Sequence, residues 1–212
     1  MNNQMSLAFW RRPRAGRRAA ALFLGVVLMG LGVALFTMVG FGTDPCSTFS
    51  LGVSGQMGLS FGTCQLMLNA SLLVPVLLMD PSRIGLGTLA NMVLVGYCAD
   101  GFRWLLGSTV TPLSPMPVRL VVFLGTLVLF LLAAALYMAA DLGVAPYDAL
   151  PQIIAARTKR LPFRLIRIFW DLGFLVLGFL MGATVGLTTL LTGFCMGPAI
   201  EAVQRKTEPW FR

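Results

Sequence analysis

A chain of 212 residues that is 57% hydrophobic and only 11% charged has the composition of a membrane protein, not of a water-soluble domain. Its formal charge of +8 would suit a nucleic-acid binder only if the basic residues shared one soluble face; they stand instead at the ends of apolar runs, where they orient a chain in a bilayer and meet anionic headgroups. The absence of histidine, and of any Cys-x-x-Cys spacing among Cys46, Cys64, Cys98 and Cys195, removes histidine-based catalysis and zinc sites of ordinary composition, so no metal, cofactor or nucleic acid is expected.

Residues 1–18 are polar and then basic, with Arg11, Arg12, Arg14, Arg17 and Arg18 ahead of an apolar run from Ala19 to Val39. That run is too long for the core of a signal peptide and no convincing cleavage site succeeds it, so it reads as a retained first span behind a basic cytoplasmic N-terminus. Since about 20 apolar residues cross the hydrocarbon core as a helix, five further spans are predicted, over 63–80, 84–104, 119–140, 164–182 and 185–203. Residues 19–104 then form a first three-span unit, 105–118 an external linker, 119–203 a second three-span unit and 204–212 a cytoplasmic tail. The tight joints at Asp80–Arg83 and Gly182–Thr184 make the spans on either side of each antiparallel neighbours.

The two units are copies. Gly42-Thr43-Asp44-Pro45-Cys46-Ser47 returns 101 residues later as Gly143-Val144-Ala145-Pro146-Tyr147-Asp148. Without a gap, the same register sets Arg18 on Arg119, Ala34 on Ala135, Gly85 on Gly186, Thr88 on Thr189, Gly96 on Gly197 and Asp100 on Glu201. Gly87 completes the Gly-x-Gly-Thr motif in the first copy. An internal duplication of this length governs the fold. Three spans per copy is an odd number, so the second copy enters the membrane from the opposite side. Charge agrees: 42–61 has no lysine or arginine, whereas its counterpart 143–162 carries Arg157, Lys159 and Arg160. Counting basic flanks places both termini in the cytoplasm and leaves Arg103 and Arg119 outside.

The segment after each repeated proline is too short to span. Proline suits the first position of a helix and Asp44 suits its cap. Short helices are therefore predicted from Pro45 to Val53, ended by the series Gly52, Gly55 and Gly58, and from Pro146 to Arg157, with Pro151 kinking the second or marking its start. The predicted fold is an all-α polytopic membrane protein of six transmembrane helices, arranged as two inverted three-helix repeats, each with a short interrupted helix after its first span. Gly25, Gly30, Gly32, Gly173, Gly178 and Gly193 mark helix-packing faces. The GxxxG spacings Gly178/Gly182 and Gly193/Gly197 favour packing within the chain, with a homodimer interface as the alternative.

Ionisable residues at membrane depth are the main functional signal. Asp171 lies about eight residues into the fifth span, roughly 12 Å along it; Arg167 and Arg164 share its face and can pair with it. A structural ion pair near the cytoplasmic boundary and a substrate or proton role both account for that placement. Asp44 and Asp148 open the two short helices, either as caps or as parts of a site at the positive end of a helix. Inverted repeats with interrupted elements build transporter sites near the midplane, and the candidate lining residues are Asp44, Ser47, Gln65, Asn69, Tyr147, Asp148, Trp170 and Asp171. Asn69 and Trp170 are repeat equivalents. Asp100 and Glu201 read as helix-end charges, and Asn91 as a partner for a neighbouring helix.

The span order, the Gly-x-x-Pro element in each half, Gly58-Leu59-Ser60-Phe61-Gly62, and Ile84-Gly85-Leu86-Gly87-Thr88-Leu89 with Gly96 and Asp100 beyond it resemble the YczE-like bacterial integral membrane proteins, grouped with YyaS and YitT. The resemblance covers residues 19–203 and implies a multi-pass protein of a bacterial cytoplasmic membrane; it supplies no substrate. Tyr147 keeps the family's aromatic residue after the proline and Cys46 does not, while Leu161-Pro162-Phe163 replaces the usual Ser-x-Gly. The sequence thus points to a small-molecule permease or exporter with the lipid bilayer and an unknown small molecule as partners. The alternative is a non-transporting membrane scaffold or accessory protein. An enzyme is not expected, since no nucleophile-base pair or nucleotide loop is visible.

Overall fold

A computed structural model describes residues 14–107, 115–158 and 161–193. Among these, regular structure is helical throughout: α1 (Ala15–Val39), α2 (Pro45–Met57), α3 (Phe61–Met79), a 3-10 turn (Pro81–Arg83), α4 (Leu86–Leu105), α5 (Met116–Ala139), α6 (Pro146–Thr158) and α7 (Phe163–Leu180). Residues 187–193 are helical as well. The expectations for Arg11, Arg12, Lys159, Arg160, Cys195, Gly197, Glu201, half of the linker (108–114), the second half of the sixth span (194–203) and the tail 204–212 lie outside the described residues.

Three of these helices, α1, α3 and α5, are long and apolar enough to cross a membrane by length and composition. Six were predicted. The predicted third and fifth spans are present as α4 and α7, but Asn91, Asp100 and Arg103 dilute the first, and Arg164, Arg167 and Asp171 the second. Large apolar side chains also cover the outside: Leu78, Trp104, Val121, Phe169 and Leu180 are all exposed. A water-soluble protein rarely presents so much contiguous apolar surface.

At the centre, α1 and α5 pack along their lengths, with Leu22, Val26 and Tyr137 in one cluster and Val33, Phe36, Phe123 and Phe130 in another. Arg18, at the start of α1, donates to the carbonyl of Ala140 at the end of α5 (3.0 Å), and Arg119, at the start of α5, donates to Val39 at the end of α1 (2.9 Å). The two helices are therefore antiparallel, and the two arginines are a repeat-equivalent pair. Each closes carbonyls that have no partner within their own helix. The glycines explain the closeness. A Cβ at Gly25 would lie 2.8 Å from the Tyr137 nitrogen, and one at Gly30 would lie 2.6 Å from Cys98 Cβ on α4.

Other contacts also come in pairs offset by 101 residues. Gly87 N–H donates to Leu142 O (2.7 Å), and Thr188 N–H to Phe41 O (3.0 Å). Gly85 N–H donates to Thr88 Oγ1 (3.0 Å), and Gly186 N–H to Thr189 Oγ1 (3.4 Å). Each Gly-x-x-Thr motif thus clamps the loop that precedes the short helix of the other half. Gly42 and Gly143 have φ of +86° and +110°, the left-handed region that glycine adopts at no steric cost. Helices pair in the same crossed manner, α2 against α7 and α3 against α6.

Several local expectations are corrected. α2 does not end near Val53: it runs through Gly52 and Gly55 to Met57 and stops at Gly58, whose φ of 65° forms the left-handed cap. Gly52 has a packing reason to be in the helix, because a Cβ there would lie 2.9 Å from Gly178 O on α7. α6 starts at Pro146 with Pro151 inside it, so Pro151 does not mark its start. Gly178 packs on Phe49 of α2, while Gly182 is a turn residue with φ +85° and Gly173 faces open space. The Gly178/Gly182 spacing is therefore no helix-pairing face, and Gly173 no packing glycine.

Candidate functional site

The two short helices and their partners enclose a cavity of about 630 Å³, bordered by residues of both halves. Asp44, Ser47, Gln65, Asn69, Tyr147, Asp148 and Asp171 all border it. Trp170 does not: it packs, with its ring tilted, against Tyr147 (5.9 Å between ring centroids) and Phe174 (5.1 Å), which also meet each other edge-on at 5.0 Å. On α7 the lining residues are Phe163, Arg167 and Asp171, each about one turn from the next, and Trp170 lies off that row.

One wall is an ion cluster. The guanidinium of Arg167 donates through Nη1 to Asp148 Oδ1 (2.6 Å) and through Nε to Asp171 Oδ2 (2.9 Å). The Tyr147 hydroxyl donates to the other oxygen of Asp171 (2.7 Å), and its ring lies 5.3 Å from the Arg167 carbon. α7 supplies the i, i+4 pair, and the first turn of α6 supplies Tyr147 and Asp148. Asp148 thus does not cap α6, as simple capping would have it; the position equivalent to Asp44 is Ala145, and the carboxylate has moved three residues on to meet Arg167. Arg164 is exposed and does not join the cluster.

A second set of lining residues, all from the first half, contributes acceptors. Asp44 caps α2, its Oδ2 taking the Ser47 N–H (3.1 Å). Gln65 and Asn69 sit one turn apart on α3, 5% and 1% exposed. The oxygens Asp44 Oδ1, Gln65 Oε1 and Asn69 Oδ1 are buried without a hydrogen-bond partner in the protein. Trp170 Nε1 and Thr188 Oγ1 share that condition.

The sequence pattern did not single out Arg83, Tyr137, Asp141, Gln152 or Thr192, all of which border the cavity. Arg83 joins Asp80 (3.0 Å) to Gln152 (2.5 Å) and so ties the joint after α3 to α6. Gln152 was legible in principle, since it lies four residues from Asp148 on the same helix face. Tyr137 reaches Gly143 O (3.2 Å) through its hydroxyl, a contact that no periodicity announces. Asn91 also borders the cavity. Asp100 does more than end a helix: it accepts from Gly62 N–H (2.7 Å) at the start of α3, where the helix dipole favours a carboxylate.

The profile described as "Family of unknown function (DUF6198)" matches residues 16–205. Among individual proteins the chain is similar to an "Uncharacterized protein" of Haemophilus influenzae, 27% identical over 85% of this chain and 80% of that one. It is 28% identical to the "Uncharacterized protein YyaS" of Bacillus subtilis, over 82% of this chain and 85% of the relative. The "Uncharacterized membrane protein YczE" of the same bacterium is 28% identical over 82% and 80%. These relatives bear out the YczE-like resemblance. No solved structure matches the chain. Together with its apolar helices, the kinship identifies a membrane protein.

Proposed function

We propose that this chain, which belongs to the DUF6198 family, is a small-molecule permease or exporter built as a six-span inverted repeat, with both termini on the cytoplasmic side of a bacterial cytoplasmic membrane. The observation that carries the reading is the cavity itself: seven of the eight residues picked as lining candidates border one space between the two halves. In secondary transporters the site forms at the interface of inverted repeats, where interrupted helices meet. The antiparallel α1 and α5, the exchanged arginines and the crossed glycine-threonine clamps support the inversion. A volume of about 630 Å³ is in the range of small-ligand pockets. Relative motion of the halves about the α1/α5 pair would open the cavity to one side and then the other. No catalytic step is assigned.

The test is flux. Proteoliposomes carrying the wild-type chain should move at least one member of a labelled panel of amines, amino acids, sugars and organic acids faster than empty liposomes. Asp171→Asn, which keeps an acceptor for Arg167 but loses the charge, should abolish that flux while the protein still inserts and elutes as a folded species. Wild-type vesicles indistinguishable from empty ones across the panel would refute the reading. Flux that survives Asp171→Asn would remove Asp171 from the mechanism.

A further inference from the structure

The two walls of the cavity are not copies of each other, although the scaffold around them is. Asp44, Gln65 and Asn69 in the first half correspond to Ala145, Ile166 and Trp170 in the second. Conversely Asp148, Arg167 and Asp171 correspond to Ser47, Leu66 and Ala70. The glycine and threonine clamps have been kept while the interior has diverged, so a ligand meets chemically distinct ends.

On the first-half side, three buried side-chain oxygens have no donor in the protein. Asn69 Nδ2 donates to the main-chain oxygen of Gln65 (3.0 Å). A carbonyl can only accept, so the amide is fixed with its oxygen turned away from that bond. That oxygen, Gln65 Oε1 and Asp44 Oδ1 are buried, without a partner in the protein, and belong to residues that border the same space. Buried polar atoms are normally satisfied, and three unsatisfied oxygens on residues of one cavity call for a donor from outside the protein, water or ligand. The Arg167 guanidinium is already engaged, held by two carboxylates. Counting the lining residues, four aspartates face two arginines.

An anion is disfavoured on each count. The positive end of α2 is occupied by Asp44 itself, and Arg167 has no charge to spare. A bare divalent ion is also a poor fit, as among the described residues no three carboxylates or thiols stand together as metal ligands. Resting on the transport reading, we infer that the cavity takes a small organic cation with N–H donors, an ammonium or guanidinium compound, whose charged end is held by Asp44, Gln65 and Asn69. Three unpartnered acceptors on residues of one cavity lining match in number the three N–H bonds of a primary ammonium, and the carboxylate supplies the counter-charge.

Thermal unfolding of the purified full chain in detergent tests this with defined probes: putrescine and agmatine as N–H cations, tetraethylammonium as a cation without N–H donors, benzoate as an anion and glucose as a neutral solute. Putrescine or agmatine should raise the unfolding temperature in a saturable way, and the other three should not. Asp44→Asn keeps the capping oxygen and so should fold, yet weaken binding by about tenfold or more through loss of the buried charge. Asn69→Leu should weaken it too, whereas Gly173→Ala, which does not border the cavity and whose added Cβ meets nothing within 4 Å, should not. No response to either N–H cation, an equal response to tetraethylammonium, benzoate or glucose, or unchanged affinity in Asp44→Asn would overturn the inference. Failure of the broader reading looks different. Saturable, Asp44-dependent binding of an amine without flux would refute transport and leave the cation site standing, whereas flux of a sugar or acid with no amine binding would refute the cation site and leave transport standing.

Discussion

Replacing Arg167 with methionine should be the most damaging single change at the cavity. The guanidinium makes two charge-assisted bonds, at 2.6 Å to Asp148 and 2.9 Å to Asp171, and hydrogen bonds to charged groups contribute about 1.5–3 kcal/mol each. Their sum overlaps the roughly 3–5 kcal/mol lost when one partner of a buried ion pair is removed. The Arg167 side chain is 24% exposed, so screening favours the lower end, about 3 kcal/mol. For a chain of this size that is a fall of about 6–12 °C in unfolding temperature. The loss comes largely from two carboxylates left facing each other without a counter-charge, and this gives the decisive control. Adding Asp171→Asn to Arg167→Met should recover part of the stability, because it removes one orphaned charge, with a coupling of about 0.5–3 kcal/mol between the two sites. The assay is thermal unfolding of both single variants and the double variant in one detergent. A fall of less than about 2 °C for Arg167→Met, or a double variant no more stable than that single one, would refute the reasoning.

The glycines of the clamps separate conformational need from packing. Gly143→Ala forces a side chain onto φ +110° and 2.6 Å from the Gly85 nitrogen, and should cost about 1–3 kcal/mol. Gly173→Ala, with nothing within 4 Å, should leave stability unchanged or raise it by up to about 1 kcal/mol; equal effects in thermal unfolding would contradict the clamp geometry. At the joint after α3, hydrogen bonds from Ser82 hold the Asp80 carboxyl below its ordinary value, with Arg83 adding to the effect. A depressed folded value means that the contribution is complete above the ordinary carboxyl range and disappears as pH falls through the lower folded value. Asp80→Asn should therefore lower the unfolding temperature near neutrality and converge with wild type in strong acid. The inverted topology predicts that, in a chain stripped of its native cysteines, Gly55→Cys labels from outside the cell and Thr158→Cys from inside; labelling of both from one side would exclude it.

Much of the scaffold was legible because it rests on local or repeated chemistry. Pro45 and Pro146 at helix starts, Gly58 at a helix end, and the tight turn at Asp80–Arg83 each stem from backbone preferences that a single residue carries. The length of α2 was misread because Gly52 and Gly55 look like terminators locally, and Gly52 is retained to let α7 approach. Likewise Asp148 reads as a cap because it lies beside the repeated proline, but it is the third residue of α6, and its carboxylate accepts from Arg167 on another helix.

By itself the sequence pointed to a membrane protein, showed motifs that recur at an offset of 101 residues, and singled out charged and amide residues near the two proline elements. Composition and self-similarity are properties of the chain, and they persist whatever it packs against. Only the tertiary structure decided that Asp44, Gln65 and Asn69 bring unpartnered acceptors to one cavity lining, that Asp148, Arg167 and Asp171 close into one ion cluster, and that Trp170 does not border the cavity. The physical reason is rotational. A residue's face on its helix can be counted from the sequence, but which neighbour that face meets depends on how closely glycines such as Gly25, Gly30 and Gly178 let the other helices approach.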